Sequence, residues 1–81
     1  MELITQTPAA TRPVRLSNRE LEILRLVAAG HSSRDVAEVL CVSKRTIDFH
    51  MNNIYQKLRV HNRMHAVRMA LRLGLLPFEV Y

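Results

Sequence analysis

Ser43-Lys44-Arg45-Thr46-Ile47-Asp48-Phe49-His50-Met51-Asn52-Asn53-Ile54-Tyr55-Gln56-Lys57-Leu58 is the stretch whose reading decides the fold. Ser43 is a natural helix N-cap, because its hydroxyl can accept a hydrogen bond from a free backbone N–H of the first turn. Behind it, Ile47, Met51, Ile54 and Leu58 recur at i, i+4, i+7 and i+11, which places them on one face of an α-helix. The opposite face carries Arg45, Asp48, Phe49, Asn52 and Gln56. An aromatic ring among hydrogen-bonding groups, held away from the apolar stripe by the period, is unusual for a purely solvated surface. Basic residues stand at both ends of the segment (Lys44 and Arg45, then Lys57 and Arg59). Such a helix suits the major groove of DNA, and the competing reading is an ordinary surface helix.

Composition narrows that choice. The 81 residues make one small domain with a modest core, and 12 Lys and Arg against 7 Asp and Glu give a formal charge of +5. A small basic domain favours polyanionic partners, nucleic acid before acidic membrane. No apolar run approaches the ~18 residues of a membrane-spanning helix, and the start has no signal-peptide pattern. One cysteine, Cys41, allows no intrachain disulfide and fits a reducing cytoplasm. With two Gly, three Pro and little alternating β-branched sequence, the expected fold is all-α.

Outward from the central helix, the chain reads as a series of capped helices. Residues 1–15 show no helical or strand period and contain two prolines, and are expected to form a flexible, disordered tail whose Arg12 and Arg15 could reach a phosphate backbone. The folded unit is expected over 16–76 and a short C-terminal tail over 77–81. Ser17 and Glu20 form a capping box, with Leu16 and Leu21 placed for a hydrophobic staple. Leu21, Leu24, Val27 and Ala28 supply the core stripe, and Gly30 ends the first helix as a left-handed cap. Ser32 and Asp35 begin a second, short helix with Val36, Ala37 and Leu40 on its apolar face. Cys41 and Val42 connect it to Ser43, and two short helices joined by such a turn make a helix-turn-helix. Cys41 is expected as a partly buried turn thiol without redox function.

Asn62 caps a last helix running to about Leu73, stopped by Gly74 and Pro77. Ala66, Met69, Ala70 and Leu73 form one apolar stripe, expected to face the core. Met64, Val67 and Leu71 form a second, roughly 130° away. A second exposed apolar stripe suggests a partner, unless residues 75–78 fold back over it.

Catalysis and metal chemistry have little support. His61 and His65 have the i, i+4 spacing of a metal pair, but zinc needs three or four ligands and only Asn62 lies nearby. No Gly-rich phosphate loop, close carboxylate pair or activated nucleophile occurs, so neither an enzyme nor a cofactor is expected.

These residues together resemble a known family. From Leu16 to about Leu75 the sequence is similar to the LuxR-type (GerE-like) helix-turn-helix domain of bacterial transcription regulators. The resemblance rests on Leu16 to Leu24, Gly30-His31-Ser32, Val36-Ala37 with Leu40, Val42-Ser43, Arg45-Thr46-Ile47 and His50. It continues through Asn53-Ile54, Lys57-Leu58, Val60, Asn62-Arg63 and Ala66-Val67. It implies a four-helix domain whose third helix enters the major groove of double-stranded DNA and whose fourth helix pairs two subunits. That pairing agrees with the stripe of Met64, Val67 and Leu71 as a homodimer interface. The protein would then work in the bacterial cytoplasm at the nucleoid, with RNA polymerase or another regulator as further partners. Such domains usually follow a phosphorylation receiver or a ligand-binding domain, so the chain is either a free-standing regulator or an excised domain.

Departures from the family pattern fall on the recognition helix. Asp48 stands where a lysine is common, Asn52 where a basic residue is frequent, and Phe49 occupies a variable position that usually faces bases. Asp48 can accept from cytosine N4, Asn52 can pair with adenine, and Phe49 can pack on a thymine methyl. Arg45 completes the expected base-facing set; Ser43, Lys44, Thr46, Asn53 and Lys57 are the expected backbone contacts. Because an acidic residue in the groove opposes phosphate binding, a second function stays open: a helix-turn-helix module that sequesters another transcription regulator.

Overall fold

A computed structural model of the chain describes residues 14–77. Four helices follow one another: α1 Asn18–Ala28, α2 Ser33–Leu40, α3 Lys44–Leu58 and α4 Arg63–Arg72, with no strand among the described residues. All four begin in the same way. Ser17, Ser32, Ser43 and Asn62 accept the backbone N–H of Glu20, Asp35, Thr46 and His65 at 3.0, 3.1, 3.1 and 2.9 Å. At the first two helices Glu20 and Asp35 return the bond to the cap's own N–H, completing capping boxes.

The helix ends share a motif as well. The chain reverses through a left-handed residue, and the next N–H reaches back to the carbonyl five residues earlier: His31 to Leu26, Val42 to Ala37, Val60 to Tyr55 and Leu75 to Ala70. The left-handed positions are Gly30 and Gly74, where glycine carries no steric penalty, and Cys41 (φ 59°) and Arg59 (φ 57°), where a Cβ is tolerated under strain. Cys41 departs from expectation. As the left-handed residue closing α2 it is exposed, and the half-buried member of the turn is Val42.

The core is built around α3, which packs against each of the other helices. Ile47, Met51, Ile54 and Leu58 are all buried, as their spacing predicts. They meet Ile23, Leu24 and Val27 of α1, Val36 and Ala37 of α2, and the short side chains of Ala66 and Ala70 on α4. Alanines at a helix contact permit close approach of the two axes.

Three parts of the sequence reading shift. In α1 the buried face is Glu20, Ile23, Leu24 and Val27, so Ile23 replaces Leu21 as a core residue, and Leu21 and Ala28 are half-buried. In α4 the last turn ends at Arg72. Leu73 is therefore the C-cap, 47% exposed, and Leu76 takes the core position after the chain reverses at Gly74. At the other end, Val14 packs against the core, two residues before the expected start of the folded unit. The rest of the expected N-terminal tail except Arg15, and the C-terminal tail beyond Pro77, lie outside the described residues.

Candidate nucleic-acid interface

The core stripe of α3 fixes what its other side presents. With Ile47, Met51, Ile54 and Leu58 turned inward, Arg45, Phe49, Asn52 and Gln56 are exposed together. Phe49 is 63% exposed, and its ring stands edge-on to His50, with centroids 5.8 Å apart and planes at 68°. A large ring kept in solvent loses apolar burial that an interior position would have provided. Its place beside an arginine and an amide makes a surface with both hydrogen-bonding and methyl-packing capacity.

Asp48 stands apart from these four. Its carboxylate accepts a hydrogen bond from Lys44 Nζ at 2.8 Å, one turn back on the same helix. That bond holds the Asp48 carboxyl below its ordinary acidity range against a smaller effect of burial, with further help from the charge of Lys44, the Ser33 hydroxyl and the charge of Arg63. Asp48 thus lies on the flank of α3 toward the starts of α2 and α4. Lys44, one of the expected phosphate contacts, is partly neutralised by it.

Other members of the expected backbone-contact set also have partners within the molecule. Ser43 Oγ caps α3 and lies 3.0 Å from the Thr46 hydroxyl. Lys57 Nζ donates at 2.8 Å to Glu20 Oε1, across 37 positions of sequence. Asn53 is half-buried. These bonds tether the cationic and hydroxyl groups at defined places along the helix, which lowers the entropic cost of ordering them against a ligand.

Two anchors of this surface escape a reading confined to local pattern. Glu20 is only 4% exposed, and the same Oε1 accepts from the Ser17 N–H at 2.8 Å and from Lys57. Burial would raise its pKa, but the bonds from Lys57 and Ser17 outweigh that and leave it below the usual carboxylate value. The capping box signalled the local half of this arrangement; nothing in sequence signalled Lys57. Arg63, at the start of α4, donates from Nη1 to the His31 carbonyl and from Nη2 to Ser33 Oγ, both at 3.0 Å. It ties α4 to the beginning of α2, and only the family resemblance had marked it.

The second apolar stripe of α4 is graded. Met64 is 64% exposed, whereas Val67 and Leu71 are half-buried against the rim of the core. Among the described residues no three His, Cys, Asp or Glu side chains gather as a metal site would require. No helix among them is long and apolar enough to cross a membrane.

Residues 14–70 match the family described as bacterial regulatory proteins, luxR family. The chain is 46% identical over 61 residues to the transcriptional activator protein AnoR of Acinetobacter nosocomialis, a match covering 75% of this chain and 26% of AnoR. It is 44% identical over 63 residues to the oxygen regulatory protein NreC of Staphylococcus carnosus, covering 78% of this chain and 29% of NreC. It therefore spans less than a third of either relative. Among solved structures, that of the transcription factor GerE superposes with a TM-score of 0.74 at 38% identity, covering 82% of this chain and 97% of that one. With its four capped helices, the helix-turn-helix of α2 and α3 and these matches, the chain belongs to the luxR family of bacterial regulatory proteins.

Proposed function

We propose that this domain is a sequence-specific DNA-binding transcription regulator that lays α3 in the major groove of double-stranded DNA. The observation that carries the proposal is the exposed outer face of α3, where Arg45, Phe49 and Asn52 stand together on a helix whose other side is locked into the core. In this reading the Arg45 guanidinium and the Asn52 amide meet base edges, and the Phe49 ring packs on a thymine methyl. Asp48 reaches a base only by leaving Lys44, and so contributes at the edge of the site. Ser43, Lys44, Thr46, Asn53 and Lys57 face the phosphates and set register. Two copies pair through the fourth helix, with exposed Met64 at the centre of the contact and Val67 and Leu71 beside it, so that two recognition helices address a two-fold-related site. Such a protein acts at the nucleoid in the bacterial cytoplasm.

Relatives named as transcriptional activator and transcription factor support this reading over sequestration of another regulator. Titration of labelled duplex DNA across salt concentrations tests it. Neutralising several phosphates per dimer gives a log–log slope of affinity against salt on the order of −3 to −8. A flat response, or no binding at low salt, would exclude DNA as the ligand.

A further inference from the structure

A second basic surface lies beyond the recognition face, at the C-terminal end of α3 and along α4. Arg59, Arg68 and Arg72 line a cleft of about 200 Å³. All three are exposed, and among the described residues none has a carboxylate within salt-bridge distance. Among the described residues these three like charges share one concavity with no counter-charge, so they repel one another, an arrangement that an anionic partner relieves. On α4, His65, Arg68 and Arg72 follow at i, i+3 and i+7, a stripe next to, and separate from, that of Met64, Val67 and Leu71. The outer surface of α4 is thus divided lengthwise into an apolar band and a basic band.

The shape of the cleft discriminates among anions. Val60 and Met69, both half-buried, line it together with the arginines, His61 and His65. A phosphate backbone is held by cations projecting from a surface and gains nothing from an apolar lining. A drug-sized ligand commonly occupies about 300–1,000 Å³, more than this cleft offers. One aliphatic side chain fits, with carboxylates on either side of it. Methionine adapts readily to such an insert, and the arginine forks pair carboxylates in bidentate fashion.

We propose that this cleft is a docking site for an acidic protein segment, in which one apolar side chain rests on Val60 and Met69 while flanking Asp or Glu carboxylates pair with Arg59, Arg68 and Arg72. The site goes beyond the DNA-binding reading: it would let the domain hold a protein partner while α3 is engaged elsewhere.

A fluorescein-labelled peptide of sequence Glu-Glu-Asp-Leu-Glu-Glu and a random-sequence duplex are the two probes, each titrated by fluorescence anisotropy against the full chain. The variants are R68A/R72A, which changes two exposed residues and leaves the core intact, and K44A/R45A on the recognition helix. Circular dichroism establishes that each variant is folded. R68A/R72A should weaken the peptide at least tenfold and change duplex binding less than twofold, with K44A/R45A giving the reverse. Replacing the peptide's leucine by serine should weaken it about fivefold, which reads the apolar lining. An unchanged peptide affinity in R68A/R72A, or absence of peptide binding to the wild type, overturns the proposal. So does an equal loss of duplex binding in R68A/R72A, which would make the cleft a continuation of the phosphate track.

Discussion

Glu20 holds together two elements that the sequence keeps far apart. One carboxylate oxygen closes the N-terminus of α1 through the Ser17 N–H and fixes Lys57 in the last turn of α3, tying the two helices together. Its pKa is lowered in the folded protein, so its contribution is complete above the unfolded value of roughly 4.3 and is lost as pH falls through the folded one. Glu20→Gln keeps the shape but removes the charge, and should cost about 1–2 kcal/mol at pH 7, since Lys57 is half in solvent and retains hydration. Urea denaturation at pH 7 and pH 3 checks this: the gap between wild type and variant should be larger at pH 7 and narrow as pH falls through the lowered pKa of Glu20. An equal gap at both would mean that shape, not charge, matters there. Local pattern showed why Glu20 caps a helix. It could not show the ion pair, because a contact across 37 positions depends on how α1 and α3 cross.

Helix beginnings were the most legible feature at the level of elements. Ser17, Ser32, Ser43 and Asn62 each satisfy an orphan N–H within three residues, a relation contained entirely in local sequence. Helix ends were less so. Gly30 and Gly74 announce a left-handed residue, whereas Cys41 and Arg59 adopt it without the residue type that advertises it. This is why Cys41, expected in the turn as a partly buried thiol, stands exposed. Leu73 differs for another reason, since Gly74 does announce the stop but Leu73 is already the C-cap and the core place passes to Leu76 beyond the turn. Ile23 belonged to the face begun by Glu20, and a stripe counted from Leu21 passed it by. The strain has a measurable consequence. Cys41→Gly removes a Cβ from a left-handed position and should stabilise the domain by about 0.5–1 kcal/mol after the added freedom of the unfolded chain is counted. Thermal unfolding followed by circular dichroism should therefore show a higher Tm; a lower one would mean that the Cys41 side chain makes a contact worth more than the strain.

The whole molecule places chemically different surfaces around one small core: a polar and aromatic face on α3, an apolar band and a basic band on α4. The face of α3 was legible because its inward stripe is regular enough to define its complement, except for Asp48, which stands at its flank and pairs with Lys44. The cleft of Arg59, Arg68 and Arg72 was not, since Arg59 and α4 meet only after the α3–α4 turn has folded. The division of labour rests on one central claim, that α3 reads bases. Asn52 tests it most directly, being exposed and at the middle of that face. The measurement is a matched titration of wild type and Asn52→Ala against a duplex enriched by the protein from a random pool, and against the unselected pool, at one salt concentration. A base contact of about 1–3 kcal/mol predicts that the variant loses roughly 5- to 150-fold on the enriched duplex and almost nothing on the pool. An equal loss on both, or a pool from which no sequence is enriched, would contradict the placement of α3 in the groove.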